Sequence, residues 1–503
     1  MSLKVVQTKY GAVEGIRSGI PTVISFRGIP FAAPPVGPLR WREPQPPLPW
    51  EGIRKCFEYQ PVCMQEKRDP NSFAAKEFYA YQPPCSEDSL YLNLWTPAQS
   101  ADERLPVMVY LYGGANIQGY NCKMEADGDL LAKRGVIYVC AAYRLGVFGF
   151  LAHPELSSES GHGSGNYGLL DQLAALRWVK ENIAAFGGDP EIVTVFGQSA
   201  GGADLQVLLC SPQSTGLFHR GICQSSGGLL CVVPAEPLAK AEERGVYFQR
   251  IARCRNLQEM RSLSADQIMQ IIASEPASSP VAHGQLPVCI DGYVLKKPLA
   301  EAFFRGECMN IPLIVGCTSD EGKGGFPLPS RQNALPALAD KIAESYQAYA
   351  QKAASLYHTD DPDEALRLFP RVWGDSMLLG SRLLARAWER NGGSCFVYLF
   401  NRQLPDADGI SRHGAFHSAD LWYTFGNFYR SWRPMSGVDY ELASAMNQYW
   451  TNFAKLGDPN GPGLPAWPVF TKENPITMVL GEKIYPSLLS DHPVVRQFDL
   501  DLP

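Results

Sequence analysis

The run Glu191–Phe196 (EIVTVF), followed at once by Gly197-Gln198-Ser199-Ala200-Gly201-Gly202, constrains this chain more than any other feature. Four β-branched residues in six read as a buried strand, and the small residues beyond it open a helix. G-x-S-x-G between a strand and a helix makes a sharp turn that presents the serine hydroxyl at the carboxyl edge of a sheet. The glycines let neighbouring backbone approach, and the helix N-terminus adds oriented N–H groups for an anion. Ser199 is therefore a nucleophile candidate. A purely structural turn is the alternative, and the context weighs against it.

The flanking sequence alternates strands and helices. LPVMVYLY (Leu105–Tyr112) and GVIYVCAAY (Gly135–Tyr143) are near-continuous apolar runs, as expected of strands buried on both faces. Helical spacing lies between them, over Lys123–Arg134. A longer helix is predicted from Tyr167 to Phe186, stopped by Gly187-Gly188-Asp189-Pro190. The pattern predicts an α/β fold with a mostly parallel central sheet and helices on both faces. The later half is more helical, over Ala235–Cys254, Ala265–Glu275, Leu335–Tyr357, Asp375–Arg390 and Tyr440–Leu456, with strands at Ile311–Cys317 and Cys395–Phe400. The expectation is one domain over residues 1–503, with helical insertions covering the active-site end.

A hydroxyl needs a base to take its proton, and the base needs an acid to orient it. Two carboxylates, Asp320 and Glu321, follow the strand Ile311–Cys317. Two histidines, His413 and His417, follow the strand Cys395–Phe400. Both segments fall where loops converge on Ser199, and the residues alone leave both choices open. His358 and His492 lie in polar, surface-like segments.

Composition excludes other classes. The 45 basic and 51 acidic residues give a net charge of −6 without charge blocks, so no nucleic-acid surface or membrane patch is expected. The longest apolar run is far short of the ~20 residues a membrane helix needs, and the first twenty residues lack a secretory apolar core. The 13 cysteines are scattered, with no zinc-type spacing, so no metal is expected and a reduced, cytoplasmic protein is. The proposed chemistry requires no cofactor.

The chain resembles the type B carboxylesterases, the branch of the α/β-hydrolase fold that includes cholinesterases. The likeness runs nearly end to end, through FRGIPFAAPPVGPLRW (Phe26–Trp41), SEDSLYLNLWTP (Ser86–Pro97), YRLGVFGFL (Tyr143–Leu151), GNYGLLDQLAALRWVKENIAAFGGDP (Gly165–Pro190), FGQSAGG (Phe196–Gly202), GLFHRGICQSSG (Gly216–Gly227), SDEG (Ser319–Gly322) and NFAKLGDPN (Asn452–Asn460). It implies Ser199 as nucleophile, Glu321 rather than Asp320 as acid, and His417 rather than His413 as base. It further implies an oxyanion hole from the N–H groups of Gly114, Ala115 and Ala200, a serine near the histidine at Ser225, and ion pairs Arg40–Glu87 and Arg144–Asp171. The activity implied is hydrolysis of small-molecule carboxylic esters through an acyl-enzyme. Amide, carbamate or lactone hydrolysis by the same residues is the alternative; a non-catalytic interaction protein is a remote one, since such relatives lose the serine.

The departures are specific. Cholinesterases carry Glu before the nucleophile and this chain has Gln198, a neutral amide with no field for a quaternary ammonium, so uncharged esters are expected. Tyr112 stands where many esterases have His, and Ala115 replaces a third glycine. Asp204 stands where a serine is usual, and the sequence offers no account of it. Secreted relatives pair a cysteine near Cys63 with one at the position of Ser89, and close a second loop in which Cys254 stands alone. Both bridges are half-erased, which the resemblance reads as loss of the secreted disulfides.

Overall fold

The computed structural model describes residues 3–232 and 235–498. Its main sheet has eleven strands, in the spatial order Ile484–Ser487, Thr477–Leu480, Cys395–Phe400, Leu313–Thr318, Arg220–Gln224, Gly188–Gln198, Leu105–Leu111, Ile137–Ala141, Tyr91–Thr96, Ile24–Pro30 and Ile16–Arg17. From Thr477–Leu480 to Ile137–Ala141 every pairing is parallel, and the outer strands pair antiparallel. The central strands are buried along nearly their whole length, so both faces must be covered. Helices including Tyr167–Asn182, Ala200–Cys210, Pro362–Arg390 and Gly437–Leu456 pack around the sheet.

Several boundaries differ from the sequence reading. The strand before the nucleophile runs from Gly188 to Gln198, so Ser199 follows it with no slack. The predicted helix Lys123–Arg134 is instead a turn at Met124–Ala126 and a short helix at Asp129–Lys133. Asn427 accounts for the break: its side-chain amide donates to the carbonyls of Glu125 and Asp127, taking them out of any helical ladder. The helix over Leu335–Tyr357 stops at Tyr346, where Gln347 adopts φ 51°. The helix expected from Asp375 begins at Pro362 and accommodates Pro370 in its interior. The strand Arg220–Gln224 and the antiparallel edge were not read as strands.

Both expected ion pairs form. Arg40 binds Glu87 through two 2.6 Å bonds. Arg144 binds Asp171 with both groups buried, at 2.8 Å twice, and its backbone N–H adds a third bond. Among the described residues no helix is long and apolar enough to cross a membrane.

Candidate active site

Ser199 occupies the N-cap of helix Ala200–Cys210 at φ 55°, ψ −126° and makes no capping bond. A non-glycine residue there costs of order 1–3 kcal/mol and persists only where its surroundings over-determine it. Here they do. The Ser199 N–H donates to Gln224 O at 2.8 Å in the adjacent strand. A Cβ on Gly197 would stand 2.4 Å from Gly201 O, and one on Gly201 2.1 Å from Leu111 O. Only glycine at both positions lets strand and helix close this tightly around the turn.

Glu321 follows the strand Leu313–Thr318 and is fully buried. Its Oε1 accepts the Thr318 N–H at 2.8 Å, and its Oε2 bonds His417 Nδ1. With a carboxylate accepting at Nδ1, that nitrogen carries the proton and Nε2 presents its lone pair. Gln198 Nε2 lies 3.2 Å from His417 Nε2. Trp373 lies against the imidazole, ring centroids 4.8 Å apart. The other candidates point elsewhere: Asp320 pairs with Lys323 at 2.7 Å, and His413 Nδ1 meets Asp406 at 3.2 Å. His358 is exposed. His492 is half-buried, 3.7 Å from the nearly buried Asp375.

The loop after strand Leu105–Leu111 turns through Gly114 (φ 136°), Ala115 (φ 55°) and Asn116 (φ 58°). Tyr112 is fixed beneath it by stacking on Tyr143, with centroids 4.4 Å apart. Among the described residues the N–H groups of Gly114, Ala115 and Ala200 donate to no protein acceptor. Ser225 is buried, and its hydroxyl has no hydrogen-bond partner among the described residues, His417 included.

Ser199, His417, Gln198, Gly114 and Ala115 line one cavity of about 1070 Å³. Its walls include Phe73, Phe326 and Trp373, with Arg68, Lys123, Lys240 and Arg244 outnumbering Glu125 and Glu236. Phe326 and Trp373 come from the stretch between Glu321 and His417, which carried no readable motif. Sequence reasoning also missed Asp420, three residues beyond His417. It is buried, bonded to Gln224 and Tyr398 at 2.9 Å each, and burial pushes its carboxyl up to about 6. The run His-Ser-Ala-Asp was its one available signal.

A mostly parallel sheet with a serine turn at a strand's carboxyl end, an acid and a histidine from later strands, and helices around it defines the α/β-hydrolase fold. The chain belongs to the carboxylesterase family: the model described as "Carboxylesterase family" matches residues 2–488. It is 36% identical to a fumonisin B1 esterase of Sphingopyxis macrogoltabida, over 95% of this chain and 86% of that protein. It is 33% identical to the cocaine esterase of Homo sapiens, over 92% and 84%. A solved PNB esterase superposes with a TM-score of 0.83 at 30% identity, covering 99% of this chain and all of that one. The protein is a carboxylic-ester hydrolase.

Proposed function

We propose that this carboxylesterase works through an acyl-enzyme formed on Ser199, with His417 as base and Glu321 as the acid that orients it. The observation that carries the reading is the Glu321–His417 Nδ1 bond, which leaves Nε2 facing the cavity that also holds the strained Ser199. Ser199 Oγ attacks the ester carbonyl as His417 Nε2 takes its proton. The oxyanion is held by the N–H groups of Gly114, Ala115 and Ala200, donors fixed before charge develops. His417 returns the proton to the leaving alcohol, and water repeats the cycle to release the acid.

The proposed substrates are small, uncharged carboxylic esters, with the catalytic residues all drawn from one domain. At about 1070 Å³ the cavity lies just above the ~300–1,000 Å³ typical of small-molecule sites. Its aromatic walls favour apolar groups. The neutral Gln198 and the surplus of cationic side chains disfavour a quaternary ammonium. We also propose a cytoplasmic, reduced protein, supported by the free thiols of Cys63 and Cys254, the remnants of the two bridges.

The test is labelling. An organophosphonate is expected to add its mass at Ser199, and Ser199→Ala is expected to abolish both labelling and turnover. Retained esterase activity in that variant would refute the assignment. Amide, carbamate and lactone analogues of the same acyl group, run beside the ester, decide which leaving groups the site accepts.

A further inference from the structure

We propose that Asp204 is a positioning residue that ties the oxyanion loop to the nucleophile helix through Asn116. The inference rests on the reading of Gly114, Ala115 and Ala200 as oxyanion donors, and it explains a residue for which the sequence offered no account.

Those three N–H groups come from two separate pieces of chain. Gly114 and Ala115 belong to the loop, and Ala200 to the first turn of helix Ala200–Cys210. Useful stabilisation requires the two pieces to hold a fixed separation, since donors must sit ~2.7–3.1 Å from the developing charge. Asp204 lies in the second turn of that helix and is fully buried. Its Oδ1 accepts from Asn116 Nδ2 at 2.9 Å, and its Oδ2 from Gln172 Nε2 at 2.6 Å. Among the described residues, the Asn116 bond is the one side-chain hydrogen bond joining the 113–119 loop to the helix.

The loop needs such a tie. Ala115 and Asn116 both adopt left-handed backbone, a strained conformation for residues with a Cβ. Asn116 is gripped at two points: its carbonyl accepts from Gly146 N–H at 2.7 Å, and its side chain is held by Asp204. The carboxylate is a costly way to provide that grip. No cation pairs with it among the described residues, and the titratable group that faces it is the Tyr143 phenol. Asn116 Oδ1 and Gln172 Oε1 are themselves buried without partners. Burial accordingly pushes the Asp204 carboxyl up to about 7. Neutral serine would carry no such charge, but its shorter side chain with one oxygen serves Asn116 and Gln172 less well than two oxygens that accept from both.

The experiment compares Asp204→Ala, Asp204→Asn, Asn116→Ala and the Asp204→Ala/Asn116→Ala double variant with wild type. Two readouts are taken: kcat and KM on a neutral ester, and the inhibition constant of a trifluoromethyl ketone, whose adduct on Ser199 carries the oxyanion. Asp204→Ala and Asn116→Ala are each expected to lose about tenfold or more in kcat and the same factor in ketone affinity, with KM moving less than about threefold. The double variant is expected to be little worse than either single one, and Asp204→Asn, which keeps one acceptor, to recover part of the loss. Ketone affinity within about twofold of wild type in folded single variants, or losses that multiply in the double, would overturn the proposal. If Asp204→Ala does not fold, Asp204→Asn and Asn116→Ala carry the same comparison. A wild-type enzyme that binds the trifluoromethyl ketone no better than its unfluorinated parent would instead overturn the oxyanion reading beneath it.

Discussion

The side-chain amide of Gln198 donates to His417 Nε2 across 3.2 Å, occupying the lone pair that the proposed mechanism assigns to the Ser199 proton. No bond between Ser199 and His417 is formed in this arrangement. The amide must therefore swing aside, or be displaced by substrate, before the base acts. Gln198→Ala is expected to remove that competition and keep kcat/KM on neutral esters within about tenfold of wild type. Gln198→Glu sets a carboxylate beside the ring, which favours the imidazolium; the acid limb of the pH–rate profile should move to higher pH. An unchanged profile in Gln198→Glu would mean that residue 198 leaves the ring during turnover.

The neighbouring carboxylates offer a sharper contrast. Glu321 holds His417, whereas Asp320 pairs with the half-exposed Lys323. Glu321→Gln is expected to cost about 10³–10⁴ in kcat, the scale for losing the orienting acid of a triad, and Asp320→Asn less than about tenfold. By the same geometry His417→Ala should be severe and His413→Ala mild. Steady-state kinetics on the four purified variants decides it, and a larger loss from Asp320→Asn would reassign the acid.

Legibility followed how local the determinants were. The nucleophile turn was readable because strand, glycines and serine lie within a dozen residues, and the glycines at 197 and 201 answer to backbone close by. The choice of Glu321 over Asp320 was not, because it depends on which carboxylate faces a histidine 96 positions away; resemblance supplied it. Asp204 was opaque for the same reason, since its partners Asn116 and Gln172 come from two other elements. Arg220–Gln224 escaped notice because five residues with polar ends give no periodicity to count. The cavity walls Phe326 and Trp373 are single aromatics whose meaning appears only in the fold.

Burial also separates the ion pairs by their energetic weight. Arg144 and Asp171 are almost wholly withdrawn from water, with side chains 3% and 0% exposed, whereas Arg331 and Asp363 are 65% and 60% exposed. Asp171→Asn leaves a buried guanidinium without its counter-charge and is expected to cost about 3–5 kcal/mol. Asp363→Asn should cost far less, because water and salt screen an exposed pair. Urea unfolding of the two variants tests the difference, and equal costs would contradict the burial.

Stability should depend on pH through Asp204 and Glu125, whose carboxyls burial pushes up to about 7. The native state keeps protons that the unfolded chain releases near pH ~4. Stability from this source is full below about pH 4 and is lost as pH rises toward about 7. Asp204→Asn removes the titration, so its unfolding free energy relative to wild type should rise between about pH 5 and pH 8. A gap that stays constant, or moves the other way, would show that Asp204 is ionised across that whole range.

The thiols give the last prediction. Cys63 and Cys85 are near enough in sequence to raise the prospect of a bridge, but they belong to different apolar clusters. Cys63 lies in the main core, where its sulfur accepts from Leu145 N–H at 3.2 Å. Cys85 packs with Val62, Tyr79 and Tyr120 in a separate group. Cys85 is the β-bridge partner of Val62, whereas the Cys63 thiol is buried against Leu145. Cys210 and Cys308 do meet, thiol against thiol, and the contact lowers the Cys308 thiol while burial raises that of Cys210. Alkylation of the denatured, unreduced protein is expected to modify all 13 cysteines when purification is anaerobic. After air oxidation the first disulfide should be Cys210–Cys308, since oxygen converts the Cys308 thiolate to a sulfenic acid and the touching Cys210 thiol then condenses with it, releasing water. A Cys63–Cys85 peptide in the mass map of anaerobically purified protein would overturn both the packing account and the reduced compartment.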